Sequence, residues 1–338
     1  MDILSQYKVF MHPARVQEWL DTGTTLPITF QMDPTNYCIR NCEDCSGNRF
    51  SNSELSYDFM GSIIDQIDSF AKGIIYTGGG EPLLNRDTTK AIKYTRKRGI
   101  HPALVTNGLL INEESANVMT DNCVYVRVSV PRKCFDNNSS LFDVWGKIEL
   151  LSKKKQKNNS QCSLGLGYLT NRQTQDKMFD VAQRAKDVGL DYVQFRPFHF
   201  DDTYLLREID DIKNLLENEN FQVIATRFKY QNMIEHSPIE DEMTECYRDH
   251  FSTVIAADGN LYPCCYTRGM NEFSLGDLNE KQFNEIWYSD AKQKVFREKL
   301  KKPRCPLMCR EDKLNQILWE IKKGQNVDYN DSGHSSFI

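Results

Sequence analysis

Between residues 28 and 196, short apolar segments alternate with longer segments in which apolar residues recur every three or four positions. The short segments predict strands and the longer ones predict helices. The predicted strands are 28–32, 74–77, 103–106, 124–130, 163–168 and 192–196, and the helices lie near 55–70, 88–98, 113–120, 141–154 and 175–188. Strands joined through helices form a parallel sheet, and about 170 residues are too few for an eight-stranded barrel, which takes about 250. The alternation therefore predicts an α/β fold built on a partial (βα)6 TIM-type barrel.

The rest of the chain is divided around this barrel. Residues 1–26 are a predicted lead-in, 27–200 the barrel, and 201–240 a linker helix region. A small α+β domain is predicted at 241–323, followed by a turn-rich tail at 324–338. Within the small domain, residues 252–266 predict a β-hairpin around the turn Ala257-Asp-Gly-Asn260.

Composition excludes several classes of protein. The chain has 338 residues, a formal net charge of −5 and a mean hydropathy of −0.57. It contains no apolar run of the roughly 18 residues that a membrane span needs, and no signal-peptide pattern. We therefore expect a cytoplasmic protein without a membrane association, and the negative charge makes nucleic acid an unlikely partner. Because cytoplasmic thiols stay reduced, the 11 cysteines indicate metal or redox chemistry rather than disulfides.

Three of these cysteines, Cys38, Cys42 and Cys45, lie in the loop after the first predicted strand with the spacing C-x3-C-x2-C. Three thiols so close together favour a metal centre. Zinc sites normally have four protein ligands, whereas three cysteines leave one iron of a [4Fe-4S] cluster without a protein ligand. A zinc knuckle completed by a distant cysteine, or a chance spacing, are the alternatives.

This loop resembles the signature of the radical S-adenosylmethionine (SAM) family. The resemblance covers about residues 27 to 200 and implies that the three cysteines ligate three irons while SAM chelates the fourth. One electron, from a flavodoxin or ferredoxin-type donor, then splits SAM into methionine and a 5'-deoxyadenosyl radical that abstracts hydrogen from carbon. The family usually has an aromatic residue before the third cysteine, and this chain has Asp44 there.

A glycine-rich segment follows the second predicted strand: Gly78, Gly79, Gly80, Glu81 and Pro82. Such a segment is equally typical of a plain turn between strand and helix. The resemblance implies instead that Glu81 and its neighbouring backbone hold the amino group of SAM.

Polar residues at the ends of later strands are weaker candidates. The resemblance implies that Asn107, Ser129 and Arg196 contact the carboxylate or ribose of SAM. The fourth strand departs from the family pattern, and this leaves Arg132 and Lys133 as candidates to meet an anionic group of the substrate.

A second group of cysteines lies downstream, and its members are Cys246, Cys264, Cys265, Cys305 and Cys309. Four thiols suit zinc as well as iron. The spacing, with Gly259 five residues before Cys264, resembles the twitch and SPASM auxiliary-cluster domains of the same family. It implies one auxiliary [4Fe-4S] cluster on Cys246, Cys264, Cys305 and Cys309.

Cys265 is then left without a ligand role. A cysteine beside a ligand is usually a small buried hydrophobe, and the alternative is a thiol that donates a hydrogen atom to a substrate radical. Three further cysteines, Cys123, Cys134 and Cys162, are predicted to pack in the core.

Together these features predict a radical SAM enzyme of the oxidoreductase or epimerase type. The predicted substrate is a small polar molecule, carbohydrate, aminocyclitol or nucleotide-linked, because 26 residues before the first strand leave little room for a peptide-binding domain. Dehydrogenation is favoured because the auxiliary cluster offers an electron acceptor. Epimerisation and peptide modification are alternatives, and a non-catalytic iron–sulfur electron carrier or sensor is a remote one.

Overall fold

A computed structural model describes residues 6–40, 42, 45, 52–135, 143–198, 203–225, 246–299, 309 and 311–324. Its helices are α1 (Pro13–Thr22), α2 (Tyr57–Ile67), α3 (Thr88–Lys97), α4 (Glu113–Asn122), α5 (Val144–Lys157), α6 (Met178–Asp187), α7 (Leu206–Leu216), α8 (Phe283–Trp287), α9 (Asp290–Lys299) and α10 (Asp312–Gly324). Its strands are β1 (Thr29–Met32), β2 (Gly73–Tyr76), β3 (His101–Thr106), β4 (Tyr125–Ser129), β5 (Ser163–Thr170), β6 (Tyr192–Pro197), β7 (Gln222–Ala225), β8 (Ser252–Ile255), β9 (Asn260–Tyr262) and β10 (Gly276–Asp277).

All ten strands form one open sheet in the order β10-β9-β8-β1-β2-β3-β4-β5-β6-β7. The strands from β1 to β7 are parallel to their neighbours, and helices α2 to α6 alternate with the first six of them. The predicted α/β fold with a parallel sheet is therefore confirmed. Since β10 and β7 lie at opposite ends of the order, the barrel is partial.

The alternation continues one unit further than the sequence predicts. Instead of stopping near residue 201, it adds α7 and then β7, which pairs with β6 from Tyr192↔Gln222 to Phe195↔Ala225. Helix α7 buries Leu206, Ile209 and Ile212 along one face. Strand β7 has only four residues and begins with an exposed glutamine, so its pattern is too short to distinguish it from a loop.

The predicted hairpin of the small domain is present as β8 and β9, with Gly259 at a φ of 84° in its turn. Its placement is unexpected, because β8 pairs in parallel with β1, from Thr29↔Ser252 to Met32↔Ile255. The C-terminal region is thus built onto the barrel sheet itself.

The two faces of the sheet differ in character. One face packs against the helices and contains the main core, for example Phe30, Ile74 and Phe195, each 0% exposed. The other, here called the inner face, carries polar side chains in alternate positions of the strands, among them Gln31 and Arg127. Cys123, Cys134 and Cys162 are buried in the core, as the sequence predicts. Among the described residues, no helix is both long and apolar enough to reach across a bilayer.

Candidate active site

The loop that carries Cys38 follows the carboxyl end of β1, and hydrogen bonds hold it to nearby segments of the same chain. Asn36 N donates to Ser53 O at 2.9 Å, and Tyr37 N donates to Thr35 Oγ1 at 3.1 Å. The buried side chain of Asn85 donates to Pro34 O at 2.9 Å. These bonds fix the start of the loop at the mouth of the barrel, where ligands of such folds bind.

The three thiols of the loop differ in exposure. Cys38 is half-buried, while Cys42 and Cys45 are exposed, and Cys45 N donates to Cys42 O at 3.3 Å. Among the described residues, no three His, Cys, Asp or Glu side chains converge closely enough to hold a metal ion. The structure therefore puts the three cysteines on one loop without bringing their sulfur atoms together.

The donor set nevertheless fits an iron–sulfur cluster. It consists of three thiols, the ligands that iron–sulfur clusters take. The backbone N–H of Arg40 already points at Cys38 Sγ at 3.4 Å, which is the type of hydrogen bond that stabilises a cluster thiolate.

Gly80 brings the glycine-rich segment into direct contact with this loop. A Cβ atom at position 80 would lie 2.1 Å from Tyr37 O, and the next residue, Glu81, donates its N–H to the same oxygen at 2.7 Å. Gly80 does not have a positive φ, so it is the lack of a side chain that matters. The two motifs singled out from the sequence therefore meet at this contact.

The Glu81 carboxylate is buried, with 2% of the residue exposed, and joins the ends of β2 and β3. Oε1 accepts from Thr106 Oγ1 at 2.6 Å and from Leu83 N at 3.1 Å, and Oε2 accepts from Asn107 N at 2.6 Å. Burial raises the pKa of Glu81, and these three hydrogen bonds oppose the rise. A carboxylate has about four acceptor positions, so one remains for a ligand such as the SAM amino group.

Arg40, between Cys38 and Cys42, is a residue that the sequence analysis missed. Its buried guanidinium donates to Ser129 O at 2.7 Å and to Asn107 O at 2.8 Å. The side chain thus fastens the cysteine loop to the ends of β3 and β4. Asn107, Ser129 and Arg196 all lie at this edge of the sheet, and Asn107 Nδ2 is 4.0 Å from Cys38 Sγ.

Arg132, by contrast, is engaged elsewhere. It forms two hydrogen bonds with the exposed Asp176, Nε at 3.1 Å and Nη2 at 2.9 Å.

The second cysteine group is partly described. Cys246 and Cys264 are buried and Cys309 is half-buried, while Cys305 lies outside the described residues. Cys246 Sγ accepts from Asn315 Nδ2 of α10 at 3.2 Å, and Cys264 Sγ lies 3.7 Å from Thr267 Oγ1. As in the first group, these thiols do not converge on a common point among the described residues.

Cys265 lies outside the strands of the hairpin. The hairpin is predicted over residues 252–266, but β9 ends at Tyr262, and Cys264 and Cys265 lie in the bend and turn that follow. Cys265 is half-buried and close enough to Arg268 to interact with it electrostatically.

Arg268 connects the second cysteine group to the barrel. Its Nη1 donates to Asp33 Oδ2 at 2.5 Å, and Asp33, just after β1, is fully buried. Burial lowers the pKa of Arg268, but Asp33, Cys265 and Cys45 outweigh that effect and raise it. The guanidinium therefore lies between the two cysteine groups.

Comparison with known families and proteins agrees with this geometry. Residues 32–198 match the model of the radical SAM superfamily, and residues 246–311 match the SPASM iron–sulfur cluster-binding domain. The tungsten-containing aldehyde ferredoxin oxidoreductase cofactor-modifying protein of Pyrococcus furiosus is 21% identical over 290 residues, which are 77% of this chain and 80% of that protein. The Fe-coproporphyrin III synthase of Methanosarcina barkeri is 33% identical over 101 residues, only 28% of this chain and 25% of the synthase.

Solved structures show the same fold. Streptococcus suis SuiB bound to S-adenosylmethionine has a TM-score of 0.66 at 15% identity, covering 86% of this chain and 72% of SuiB. Native anSMEcpe with bound AdoMet and the Cp18Cys peptide has a TM-score of 0.60 at 17% identity, covering 89% of this chain and 100% of anSMEcpe. With its three-cysteine loop at the barrel mouth and its C-terminal cysteine region built onto β1, the chain belongs to the radical SAM superfamily and carries a SPASM-type auxiliary iron–sulfur domain.

Proposed function

We propose that the chain cleaves SAM reductively and that the resulting radical removes a hydrogen atom from a carbon of a small polar substrate. The product is the dehydrogenated substrate. The observation that carries the proposal is the contact of Gly80 and Glu81 with Tyr37 O, because it joins the glycine-rich segment to the three-cysteine loop. Cys38, Cys42 and Cys45 would hold a [4Fe-4S] cluster. When bound, that cluster supplies the electron that splits SAM and generates a 5'-deoxyadenosyl radical.

The residues of the barrel mouth have separate tasks in this proposal. Gly78, Gly79 and Pro82 shape the backbone that meets SAM, and the remaining acceptor position of Glu81 takes its amino group. Asn107 and Ser129, at the ends of β3 and β4, lie where the ribose or carboxylate would be held. Arg40 holds these strand ends close to the cysteine loop through its hydrogen bonds to two backbone carbonyls.

Dehydrogenation needs an electron acceptor. One hydrogen atom leaves the substrate carbon with the radical, and the second leaves as a proton and an electron. Cys246, Cys264, Cys305 and Cys309 would hold the auxiliary cluster that takes this electron. A flavodoxin or ferredoxin-type protein would supply the electron for SAM cleavage. The buried Arg268–Asp33 pair supports this arrangement, because it fixes the second cysteine group against the barrel mouth.

The polar side chains on the inner face of the sheet support the proposal that the substrate is a small polar molecule. Arg127 and Arg196 are half-buried there, and Gln194 accepts from Arg127 Nη1 at 2.7 Å. Such side chains suit a polar molecule better than an apolar one.

A second candidate is modification of a peptide. One of the structures with this fold is SuiB bound to the precursor peptide SuiA, with a TM-score of 0.62 at 17% identity. The mycofactocin maturase MftC of Mycolicibacterium smegmatis is 27% identical over 119 residues, which are 34% of this chain and 30% of that protein. Peptides tested in place of small molecules would decide between the two substrate classes.

The reductive cleavage is tested with anaerobically reconstituted protein, SAM and dithionite. We expect 5'-deoxyadenosine from the wild type and none from the Cys38→Ala/Cys42→Ala/Cys45→Ala variant, measured by chromatography. Cys123→Ala is the matched control, because Cys123 is buried at the amino end of β4, on the opposite edge of the sheet. Equal product from the triple variant and the control would refute the proposed cleavage.

The outcome of the reaction is tested in deuterated water. Dehydrogenation predicts that the reacting carbon acquires no deuterium in recovered substrate. If deuterium appears there and disappears in Cys265→Ala, while 5'-deoxyadenosine formation continues, the reaction is an epimerisation with Cys265 as hydrogen donor.

A further inference from the structure

Two arginines extend from the inner face on either side of β5. Arg127 lies on β4 opposite Gly165, and Arg196 lies on β6 opposite Leu169. Strand β5 has glycine at both 165 and 167, so it presents little side-chain bulk between them. Glycine in a strand interior costs stability, and it often marks a place where a ligand or another group approaches closely.

The two arginine side chains converge over Gly167. A Cβ atom at that position would lie 3.4 Å from Arg127 Cδ and 3.6 Å from Arg196 Nη2. Both arginine side chains therefore lie directly over Gly167, which is buried beneath them. Its neighbour Gly165 is covered by the ring of Tyr192, whose Cζ atom would be 1.9 Å from a Cβ at position 165. Burial raises the pKa of Tyr192 to about 12, so its hydroxyl is a neutral donor at physiological pH.

The charge of Arg127 is not neutralised within the described part of the chain. Its Nη1 donates to Gln194, an uncharged partner, and the described residues place no carboxylate within ion-pair distance of it. Its Nε is buried and has no hydrogen-bond acceptor among those residues. Arg132 and Arg268, in contrast, each pair with an aspartate. A desolvated guanidinium N–H without an acceptor costs free energy, which a bound anion would recover.

We propose that Arg127 and Arg196, converging over Gly167, form a subsite that binds a carboxylate or phosphate group of the substrate. Planar guanidinium groups bind both of these anions with paired hydrogen bonds. Gly167 pairs with Ser129 in the register of β4 and β5, so the subsite lies beside the place proposed for SAM. The inference rests on the proposed function, because it supplies the anchoring group of that reaction's substrate.

The carboxylate of SAM is the competing source of the same chemistry, so the test separates the two. Reconstituted full-length protein saturated with SAM is dialysed against radiolabelled inorganic phosphate at constant ionic strength, and succinate is the competing carboxylate. We expect one phosphate bound per chain with SAM still in place. The relative strength of phosphate and succinate then identifies the preferred anion.

Variants assign the binding to the subsite. Arg127→Met and Arg196→Met should each weaken phosphate binding by about tenfold or more, the loss expected for a charge-assisted hydrogen bond. Gly167→Val keeps both charges, but its branched side chain would displace the two arginine side chains that lie over this glycine, and should weaken binding similarly. This variant decides the matter if an arginine variant does not fold. The control is Arg207→Met, because Arg207 is exposed on α7 and should leave phosphate binding unchanged.

Three results would overturn the inference. They are absence of phosphate binding to the wild type, equal binding by Gly167→Val and the wild type, and loss of SAM affinity with displacement of phosphate by SAM. The last would assign the arginines to the SAM carboxylate. None of these results depends on electron transfer, so they are distinguishable from failure of 5'-deoxyadenosine formation.

Discussion

Arg268, in the segment after Cys264 and Cys265, forms a buried ion pair with Asp33 at the end of β1, with 2.5 Å between Nη1 and Oδ2. Asp33 also accepts from Gln31 Nε2 at 2.9 Å. Both charges are removed from water, so neither is stable there without the other. The pair therefore holds the auxiliary region against the mouth of the barrel.

The first prediction concerns this pair. Arg268→Met leaves the Asp33 carboxylate buried and unpaired, and should lower the free energy of unfolding by about 3–5 kcal/mol. Arg268→Met combined with Asp33→Asn should recover part of that loss. Arg98→Met, which breaks the surface pairs of Arg98 with Asp65 and Asp68, is the control and should cost about 1 kcal/mol or less. Urea unfolding of the cluster-free protein measures all four proteins. An Arg268 variant no less stable than the Arg98 variant would contradict the prediction.

The second prediction concerns Gly80→Ala. The new methyl group would overlap Tyr37 O, a backbone atom that cannot move without displacing the cysteine loop. We expect reconstituted protein to lose iron from the three-cysteine site, measured by iron content and visible absorbance. Gly61→Ala is the control, because its Cβ would meet only Tyr94 at 3.9 Å, and alanine is favourable in helix α2. Full iron content in Gly80→Ala would contradict the proposed role of this contact.

The third prediction concerns Glu81→Gln. Glutamine keeps the size of the side chain but removes the charge, and its amide NH2 faces a donor, since Glu81 accepts three hydrogen bonds. SAM affinity should fall by about 1–3 kcal/mol, measured by equilibrium dialysis. Iron content should be retained, which separates SAM binding from cluster assembly. Glu219→Gln, on an exposed loop, is the control. Unchanged SAM affinity in Glu81→Gln would show that the glycine-rich segment is only a turn.

The fourth prediction concerns iron content. Two [4Fe-4S] clusters require about eight irons per chain, and replacing Cys38, Cys42 and Cys45 with alanine should remove about half of them. Replacing Cys246 and Cys264 should remove the other half. Elemental analysis that finds about four irons together with zinc would contradict an auxiliary iron–sulfur cluster.

The fifth prediction concerns the core thiols. Burial raises the pKa of Cys162 to about 12, so at pH 8 about one molecule in ten thousand carries the reactive thiolate. We expect no alkylation of Cys162 by iodoacetamide in the native protein and full alkylation in urea, mapped by mass spectrometry. In the cluster-free protein, the exposed Cys42 and Cys45 should be alkylated first, and half-buried Cys265 before Cys162. Rapid native alkylation of Cys162 would show that its strand edge opens.

The sequence predicts the local features of this molecule well. Strand and helix alternation follows from the apolar pattern, and the hairpin follows from its turn residues. The pairing of β8 with β1 was not predictable in this way, because it is a backbone interaction between segments more than 200 residues apart, and four-residue strands carry no information about their partners.

The residues of the candidate site were likewise predictable only in part. Cysteine spacing identified the loop, but Arg40 and Arg268 were missed because arginine is usually a surface residue. Their burial depends on acceptors supplied by distant parts of the chain, Ser129 O for Arg40 and Asp33 for Arg268. An arginine between two cysteines of the loop was the one local signal available for Arg40. Arg127, in the interior of a predicted strand, was a comparable signal.

The parallel pairing of β8 with β1 means that the C-terminal region is not a detachable module. Removing it would deprive β1 of one of its two neighbouring strands and leave a row of unpaired backbone N–H and C=O groups in the strand that precedes the cysteine loop. Such a truncated chain would expose an unpaired edge strand beside its own candidate active site, and it would aggregate or pair with a second copy through that strand. The same ladder joins the strand that precedes the first cysteine group to the strand between Cys246 and Cys264, so one sheet supports both groups.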